Sequence, residues 1–513
     1  MKRILALLLL AAMLLAGCGT NNGAYVPTGD ALEYGDDYTG PQHTKEPEQS
    51  DQSLSLTYYP DRTMNPFSCT DFTNRALFSL LYQGLFSVDR GYNVEPVLCS
   101  RYSMSKDMKT YVFYLENATF GDGSVLTAAD VSASLLAAKD SAYYKGRFQH
   151  ISQIQQTADG GVELVLDTPM ENLPALLDIP IVKAAQTLLS QPSGTGPYVM
   201  DTTTAPGVLR RNTNWWCKAE MAVTAPAIQL MIAQSNTGIR DDFEFNDLGL
   251  VCADPGSDNY ADYRCDYELW DCENNIFLYI GCNMESVVFS NAAIRSALVR
   301  AVDRDTLTEN YYRGFARSAS LPASPLFPHY SNALAQKYTY DQGESLKNAV
   351  TGARLETTAV VFLVNSDDSM RVRIARDIAK MLTACGLTVQ MSELPTTQFN
   401  KALQKRTYDL YLGQTKLSHN MDLSGFFATK GAMQYGQIGD VGLYTLCTEA
   451  LANYGNYYTL HQKVMDDGRI CPILFRSYAI YATRGLLTGL TPARDNVFYY
   501  SLGKSMEDVL IAE

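Results

Sequence analysis

Apolar side chains alternate with polar ones along some short segments of the chain and recur every three or four residues along others. The alternation in residues 54–58 and 110–115 predicts β-strands. Helical spacing over residues 76–86 predicts a helix that ends near Gly84, and the same spacing over residues 294–302 predicts a second helix. The chain is therefore predicted to be a mixed α/β protein.

Turn and capping signals separate several of these segments. The glycines of residues 120–124 favour a tight turn, because glycine adopts positive φ at little cost. Thr127 and Asp130 have the spacing of a helix N-cap and its acidic N3 partner. Residues 151–155 and 162–166 flank an Asp-Gly-Gly turn and are predicted to pair as a hairpin.

Residues 359–412 carry the clearest α/β pattern. Short apolar strand segments at 359–364, 387–391 and 408–412 alternate with two amphipathic helical segments, and this order predicts parallel strands joined by right-handed crossovers. Ligands of such sheets bind beyond the carboxyl ends of the strands. The last of these ends leads into residues 413–422, which we therefore interpret as a binding loop.

The beginning of the chain has the pattern of an export signal. Basic residues precede an uncharged apolar run over residues 4–15, and this run is too short to span a bilayer. The run ends in Leu-Ala-Gly-Cys18, which resembles the bacterial lipoprotein box. That resemblance implies a signal peptide over residues 1–17 and lipid on Cys18, with residues 18–50 as a polar, disordered tether. An ordinary signal peptide cut elsewhere is the alternative.

Composition narrows the class of protein. Apolar residues make up 46% of the chain and charged residues 19%, as in soluble globular proteins. The length suits two or three subdomains, and no later segment is apolar enough to span a membrane. The net charge of -14 and the lack of a basic patch argue against a nucleic-acid partner.

The cysteines give little chemistry. No C-x2-C pair occurs, so we predict no metal site and no cofactor. Disulfides are permitted outside the cell, but their pairing cannot be read from sequence, and buried free thiols are the other interpretation.

Several segments resemble the signature regions of extracellular solute-binding proteins of family 5, the peptide, nickel and opine binders of ABC importers. The core match runs from Lys-Thr-Tyr-Val-Phe-Tyr-Leu115 through Phe-Gly-Asp-Gly-Ser-Val-Leu-Thr-Ala-Ala-Asp-Val131. Residues 81–86 and 96–98 match before this core, and further matches follow it in the family's order at residues 194–198, 212–216, 294–303, 408–412 and 471–475.

The resemblance implies an α/β, two-lobed periplasmic-binding-protein type II fold with hinge strands and an extra subdomain in the first lobe. Lobe I is expected over residues 51–275, with the subdomain at about 85–190, and lobe II over residues 276–484. Residues 485–513 are expected to return to lobe I. Residues 276–283 and the chain near residues 484–485 are the expected hinge strands.

Two loops are then expected to face the ligand, residues 68–71 in the first lobe and residues 414–422 in the second. In peptide binders of the family, an acidic residue of the second loop pairs with the amino terminus of the ligand. In this chain His419 falls near that position and Asp422 follows, so a free amine as the recognised group is in question, and Lys416 could serve a carboxylate instead. A solvated loop histidine is the alternative for His419. The candidate ligand-binding residues are Thr70, Asp71, Gln414, Lys416, His419 and Asp422.

The expected function is that of a solute-binding subunit of an ABC importer, a monomer lipid-anchored to the outer face of the cell membrane. It would capture a peptide-like solute by hinge closure and deliver it to the permease subunits. A surface receptor or sensor of the same fold, and a binder of a nickel chelate or other small solute, are the alternatives. Neither H-E-x-x-H nor G-x-S-x-G occurs, so we do not expect an enzyme.

Overall fold

The structure is a computed structural model that describes residues 54–203, 207–217, 219–232, 235–256 and 263–511. The predicted signal peptide (1–17) and the predicted lipidated Cys18 with its tether (18–50) lie outside the described residues.

The strands that the structure describes are β1 (Ser55–Tyr58), β2 (Phe86–Val88), β3 (Val94–Pro96), β4 (Cys99–Met104), β5 (Thr110–Leu115), β6 (Ile151–Gln156), β7 (Val162–Leu166), β8 (Tyr198–Asp201), β9 (Val208–Arg211), β10 (Ala227–Ile232), β11 (Leu250–Ala253), β12 (Tyr267–Cys282), β13 (Ala316–Ser318), β14 (Ala359–Asn365), β15 (Thr388–Leu394), β16 (Leu410–Lys416) and β17 (Ile470–Thr483).

The α-helices of the same ranges are α1 (Phe72–Ala76), α2 (Phe78–Leu81), α3 (Ala128–Asp140), α4 (Asn236–Glu244), α5 (Ala292–Leu298), α6 (Arg304–Tyr312), α7 (Asn332–Ala335), α8 (Glu344–Gly352), α9 (Ser369–Ala384), α10 (Thr396–Lys405), α11 (Ser424–Phe427), α12 (Val441–Ala452) and α13 (Tyr457–Asp467).

One mixed sheet runs through the whole molecule in the order β15-β14-β16-β12-β17-β11-β1-β10-β9-β8. Its two longest strands, β12 and β17, are antiparallel neighbours at its centre. A separate antiparallel sheet, β4-β5-β7-β6, lies within the range expected for the extra subdomain. The two-lobed α/β fold class is therefore confirmed.

Most residues of one large buried apolar cluster lie between 54 and 230, and two further clusters lie, apart from Tyr92, on residues between 277 and 475. We call the part of the structure around the first cluster lobe I and the part around the others lobe II. Leu487, Leu490, Val497, Phe498 and Val509 pack into the lobe I cluster, so the chain returns to lobe I after β17.

The register between β12 and β17 is interrupted at the passage from lobe I to lobe II. The interruption lies between Glu273 and Phe277, where Asn275 has a φ of 58°. Such a bulge breaks the ladder locally and lets the strand bend. The apolar run predicted as a strand near residues 276–283 is thus the second half of a longer strand that begins at Tyr267.

The α/β pattern of lobe II is confirmed. β14 pairs in parallel with both β15 and β16, and α9 and α10 connect these strands. The prediction that the loop begins at residue 413 is wrong, because β16 continues to Lys416 by pairing with β12 from Ile276 onward.

Two glycines fix how closely β12 and β16 approach. Gly281 pairs with Tyr411 and Gly413 pairs with Tyr279, so each tyrosine ring lies across a glycine of the opposite strand. A Cβ atom at Gly281 would meet the Tyr411 ring at 2.2 Å, and one at Gly413 would meet the Tyr279 ring at 2.5 Å. Only glycine fits at these two positions without rearrangement.

Two helix predictions are wrong in extent. The segment predicted as a helix over residues 76–86 forms the short helices α1 and α2 and then a strand, because Tyr82 is extended and the glycine corner of residues 194–196 packs against the backbone of Leu81. The helix predicted over residues 294–302 ends at Leu298, and a new helix begins after Asp303, whose side chain accepts a hydrogen bond from Thr306.

Two further local predictions, a helix cap and a hairpin, are confirmed. Thr127 and Asp130 form the capping box of α3, and β6 and β7 form the predicted hairpin. All ten cysteines of the described ranges are free thiols, and seven of them are buried. Within those ranges no cluster of His, Cys, Asp or Glu side chains could hold a metal ion.

Candidate functional site

The carboxyl end of β16 and the loop after it face lobe I. β16 lies between β14 and β12 in the sheet, so its position is fixed on both sides. Gln414 and Lys416 are two residues apart on this strand, and side chains at that spacing project to the same face of a sheet. His419 and Asp422 follow in the loop. All four of these candidate residues contact residues near the boundary of the two lobes.

Lys416 joins lobe II to the returning C-terminal segment of lobe I. Its Nζ atom donates hydrogen bonds to Asp495 Oδ1 at 2.7 Å and to the Tyr143 hydroxyl at 2.5 Å. The side chains of Lys416 and Asp495 retain 24% and 21% exposure. Burial raises the pKa of Asp495, but Lys416 and Arg75 outweigh it and lower this pKa to about 2, so Asp495 is ionised at neutral pH.

The Tyr143 ring connects Lys416 to a buried arginine. The Lys416 Nζ atom lies 4.4 Å from the ring centroid, and the Arg75 guanidinium carbon lies 3.3 Å from it. Arg75 also donates hydrogen bonds to the Cys69 carbonyl at 3.1 Å and to the Tyr144 hydroxyl at 3.0 Å. Two cations therefore share one aromatic ring, an arrangement that cation–π attraction favours.

His419 is buried and not a solvated loop histidine. Its Nδ1 atom lies 3.1 Å from the Ala175 carbonyl oxygen and 3.3 Å from Asp178 Oδ1, both in lobe I. Burial lowers the pKa of His419, and Asp178 opposes this shift without overcoming it. The imidazole is therefore neutral at neutral pH, and we assign its proton to Nδ1, which faces two acceptors.

Asp178 also accepts a hydrogen bond from Arg147. Burial opposes its ionisation, but Arg147 and His419 hold its pKa well below its usual range. His419 thus contacts a lobe I carboxylate, Asp178, that is already paired with Arg147. The Nε2 atom of His419 is buried without a hydrogen-bond partner.

Asp422 is held by a second histidine that the sequence did not single out. Asp422 Oδ2 lies 3.2 Å from His150 Nε2, and the other nitrogen of His150 lies 3.2 Å from Asp167. Ser424 donates to Asp422 from its main chain at 2.8 Å and from its hydroxyl at 2.7 Å. Burial raises the pKa of Asp422, but His150 and Ser424 lower it, so its carboxylate is charged.

Gln414 accepts a hydrogen bond from Arg476 of β17 at 3.1 Å. The same guanidinium binds Asp254, at 2.5 and 2.7 Å from its two carboxylate oxygens. Asp254 directly follows β11 and Arg476 lies beside the interrupted register of β12 and β17. Gln414 is therefore connected to the interrupted register of β12 and β17 and not to the contacts that Lys416 makes with lobe I.

The first predicted loop is placed differently. Thr70 is exposed, and Asp71 caps α1 by accepting a hydrogen bond from the Asn74 main chain at 3.0 Å. Asp71 also pairs with Arg62. These contacts give Asp71 a structural role, although Phe72 beside it stacks on Tyr478 of β17 at 3.7 Å between ring centroids.

Sequence reasoning missed the lobe I residues that meet the β16 loop. They share no motif, and the nearest of them along the chain, Asp495, lies 79 residues from Lys416, so no local pattern identifies them. They are Arg75, Tyr143, Arg147, His150, Asp178, Asp254 and Asp495.

In the described parts of the chain, no helix has both the length and the apolar character needed to cross a membrane.

The sequence model of bacterial extracellular solute-binding proteins, family 5 middle, matches residues 93–434. The glutathione-binding protein GsiB of Escherichia coli O6:K15:H31 is 26% identical over 301 residues, which is 54% of this chain and 56% of the relative. The chain thus matches little more than half the length of this curated relative.

Solved structures extend the likeness to nearly the whole chain. HbpA2 from Haemophilus parasuis superposes with a TM-score of 0.72 at 18% identity, covering 88% of this chain and 99% of the other. The putative peptide binding protein AppA from Clostridium difficile superposes with a TM-score of 0.71 at 16% identity, covering 87% and 98%. At these identities the likeness concerns the fold. The family model matches well over half of the chain, and the chain therefore belongs to family 5 of the bacterial extracellular solute-binding proteins.

Proposed function

We propose that the protein is the solute-binding subunit of an ABC importer and that it captures a peptide-like solute between its two lobes. Membership of family 5 is the observation that carries this proposal. The similarity to proteins named as glutathione-binding and as peptide binding supports a peptide-like solute. An enzymatic role is disfavoured by the same membership, because the family consists of solute-binding proteins.

The geometry supports capture by closure. The lobes share two long strands with an interrupted register, and a bend at such a place needs few residues to change. The β16 loop of lobe II reaches lobe I through Lys416, His419 and Asp422. A solute that contacts both lobes would stabilise the closed form by its differential affinity for it.

We further propose the boundaries given above for the signal peptide, tether and lobes, a lipid on Cys18, a monomeric state and delivery to permease subunits. Cys18→Ala should release the protein from the membrane fraction into the extracytoplasmic soluble fraction. A Cys18→Ala protein that stays with the membrane would contradict the lipid anchor.

The direct test is native mass spectrometry of the purified protein, with identification of the released solute. Peptides or peptide conjugates support the proposal, and a metal chelate or a sugar as the only solute overturns the peptide assignment.

The placement of the site is tested with the solute so identified. His419→Ala and Asp422→Ala should each reduce the rise in melting temperature that the solute produces, since bound ligand stabilises the folded state by mass action. Lys401→Ala, at an exposed position on α10, is the matched control and should leave the rise unchanged. If neither test variant alters the rise, the solute does not bind beside the β16 loop.

A further inference from the structure

Buried positive charge gathers where Lys416 meets lobe I. Arg75 is 5% exposed and Arg494 is 4% exposed, although arginine is almost never buried this completely unless it is paired. The guanidinium of Arg75 contacts main-chain carbonyls and tyrosines, and that of Arg494 lies 3.6 Å from the Tyr92 ring and contacts main-chain carbonyls. Neither forms an ion pair with a carboxylate of the described residues.

The neighbouring charges do not cancel these two cations. Lys416 is matched by Asp495, and Arg147 is matched by Asp178. Arg75 also helps to lower the pKa of Asp495, and Arg494 helps to lower that of Asp178. Two carboxylates are therefore surrounded by a group of four basic residues: Lys416, Arg75, Arg147 and Arg494.

Other acidic residues along the boundary have cations of their own, except Asp422 and Asp167, which share His150. Asp271 and Glu273 face Arg90 and Arg317. Asp254 faces Arg476. His419 adds no charge, because its imidazole is neutral at neutral pH. The group around Lys416 therefore keeps about two uncompensated positive charges in a chain whose net charge is -14.

The group around Lys416 also contains unsatisfied hydrogen-bond donors. The Nε atoms of Arg75 and Arg494 are buried without a partner. A buried cation with an unsatisfied donor costs free energy that an acceptor carrying negative charge recovers. Lys416, which is partly exposed and also touches Tyr143, is the group through which a solute can reach this field.

We propose that this part of the boundary between the lobes recognises a carboxylate of the solute, with Lys416 as the direct contact and Arg75 and Arg494 as the surrounding positive field. This inference rests on the proposed function, since it names the chemical class of the solute. According to this inference, the protein recognises an acidic group of a peptide-like solute and not a free amine.

The test uses three four-carbon probes of equal length: succinate, its neutral diamide succinamide, and putrescine. Each is titrated against the purified protein at constant ionic strength set with sodium chloride, and the melting temperature is followed. Succinate should give a saturable rise of about 1–2 °C at tenfold excess over its dissociation constant, whereas succinamide and putrescine should give none.

Variants assign the effect to Lys416. Lys416→Met should weaken succinate binding at least about tenfold, and Lys416→Arg should retain most of it, since a lost charge-assisted contact costs roughly 1.5–3 kcal/mol. Asp495→Asn should strengthen succinate binding about threefold or more, because it removes a competing carboxylate. Lys401→Met is the control at an exposed lysine and should change nothing.

A larger effect of putrescine than of succinate, no effect of succinate beyond that of sodium chloride, or unchanged succinate binding in Lys416→Met would overturn the inference. Far-UV circular dichroism of each variant confirms that it is folded. Asp495→Asn complements the Lys416 variants, because it is expected to strengthen succinate binding and not to weaken it. A protein that binds succinate at Lys416 but yields only a sugar contradicts the peptide proposal alone. One that yields a peptide but ignores succinate contradicts only this inference.

Discussion

His461 in α13 offers the sharpest test of the lobe II interior. Its side chain is fully buried, and neither ring nitrogen has a hydrogen-bond partner. Burial, with a smaller contribution from His329, lowers its pKa from 6.5 to about 3. The folded protein therefore holds a neutral imidazole at a pH where the unfolded chain binds a proton.

The size of the effect follows from linkage. A depressed histidine pKa contributes no penalty above pH 6.5, and folding is progressively opposed as the pH falls from 6.5 towards the folded pKa. At pH 4.5 this proton uptake by the unfolded chain costs about 2.7 kcal/mol, and at pH 7.5 it costs almost nothing. His461→Leu removes that penalty and relieves the unpartnered ring nitrogens, which themselves cost roughly 1–3 kcal/mol.

The assay is urea unfolding of the parent protein and His461→Leu at pH 7.5 and pH 4.5, followed by circular dichroism at 222 nm. The variant should gain about 2–3 kcal/mol over the parent between the two pH values. His329→Leu is the matched control, because burial also lowers the pKa of His329 but this histidine is only half-buried, so its gain should be smaller. An equal gain at both pH values, or a larger gain in His329→Leu, would refute the reasoning.

Three further predictions concern other parts of the molecule. Asp422 and Asp167 raise the pKa of His150 against the effect of burial, so their contacts stabilise the fold fully below pH 6.5 and lose this effect as the pH rises through the raised value. The melting-temperature difference between the parent and His150→Gln should thus be larger at pH 6 than at pH 8.5, and a constant difference would exclude this ion pair. Gly281→Ala should lower the free energy of unfolding by about 1–3 kcal/mol through the clash with Tyr411, whereas Gly352→Ala, where a Cβ atom meets nothing within 4 Å, should not; equal effects in urea unfolding would contradict the strand contact. A chain produced without residues 1–50 should titrate ten thiols in denaturant without reductant, and fewer would indicate a disulfide.

Sequence patterns predicted secondary structure correctly where residues close together in the chain determine it. The Thr127 and Asp130 cap, the β6–β7 hairpin and the parallel strands of lobe II all follow from residues within one or two turns or one crossover. The helix expected over residues 76–86 failed because a distant segment, the glycine corner of residues 194–196, packs against Leu81. The helix expected over residues 294–302 is interrupted because Asp303 caps a new helix, a local signal that the apolar spacing did not include.

In the candidate site, too, some residues could be predicted from the sequence and others could not. Lys416, His419 and Asp422 could be chosen because they follow a strand end, which sequence order reveals. Their partners could not, since Asp495 is brought to Lys416 by the return of the chain after β17 and Asp178 reaches His419 from the other lobe. Burial of His419 was also beyond the sequence, because a polar loop residue beside Asn and Ser has no local sign of being covered.

The return of the chain to lobe I affects the order in which the protein can fold. Tyr102 exchanges main-chain hydrogen bonds with Val509 at 2.7 Å and Ile511 at 2.8 Å, and Phe498 lies in the lobe I cluster. Residues around position 100 are synthesised about 400 positions earlier than these partners, so lobe I cannot close its core while the chain is still emerging. Lobe II, whose strands β14 to β16 lie close together in sequence, can form first. The N-terminal lobe is then the last to be completed, and during synthesis its open sheet is the surface that most needs protection from aggregation.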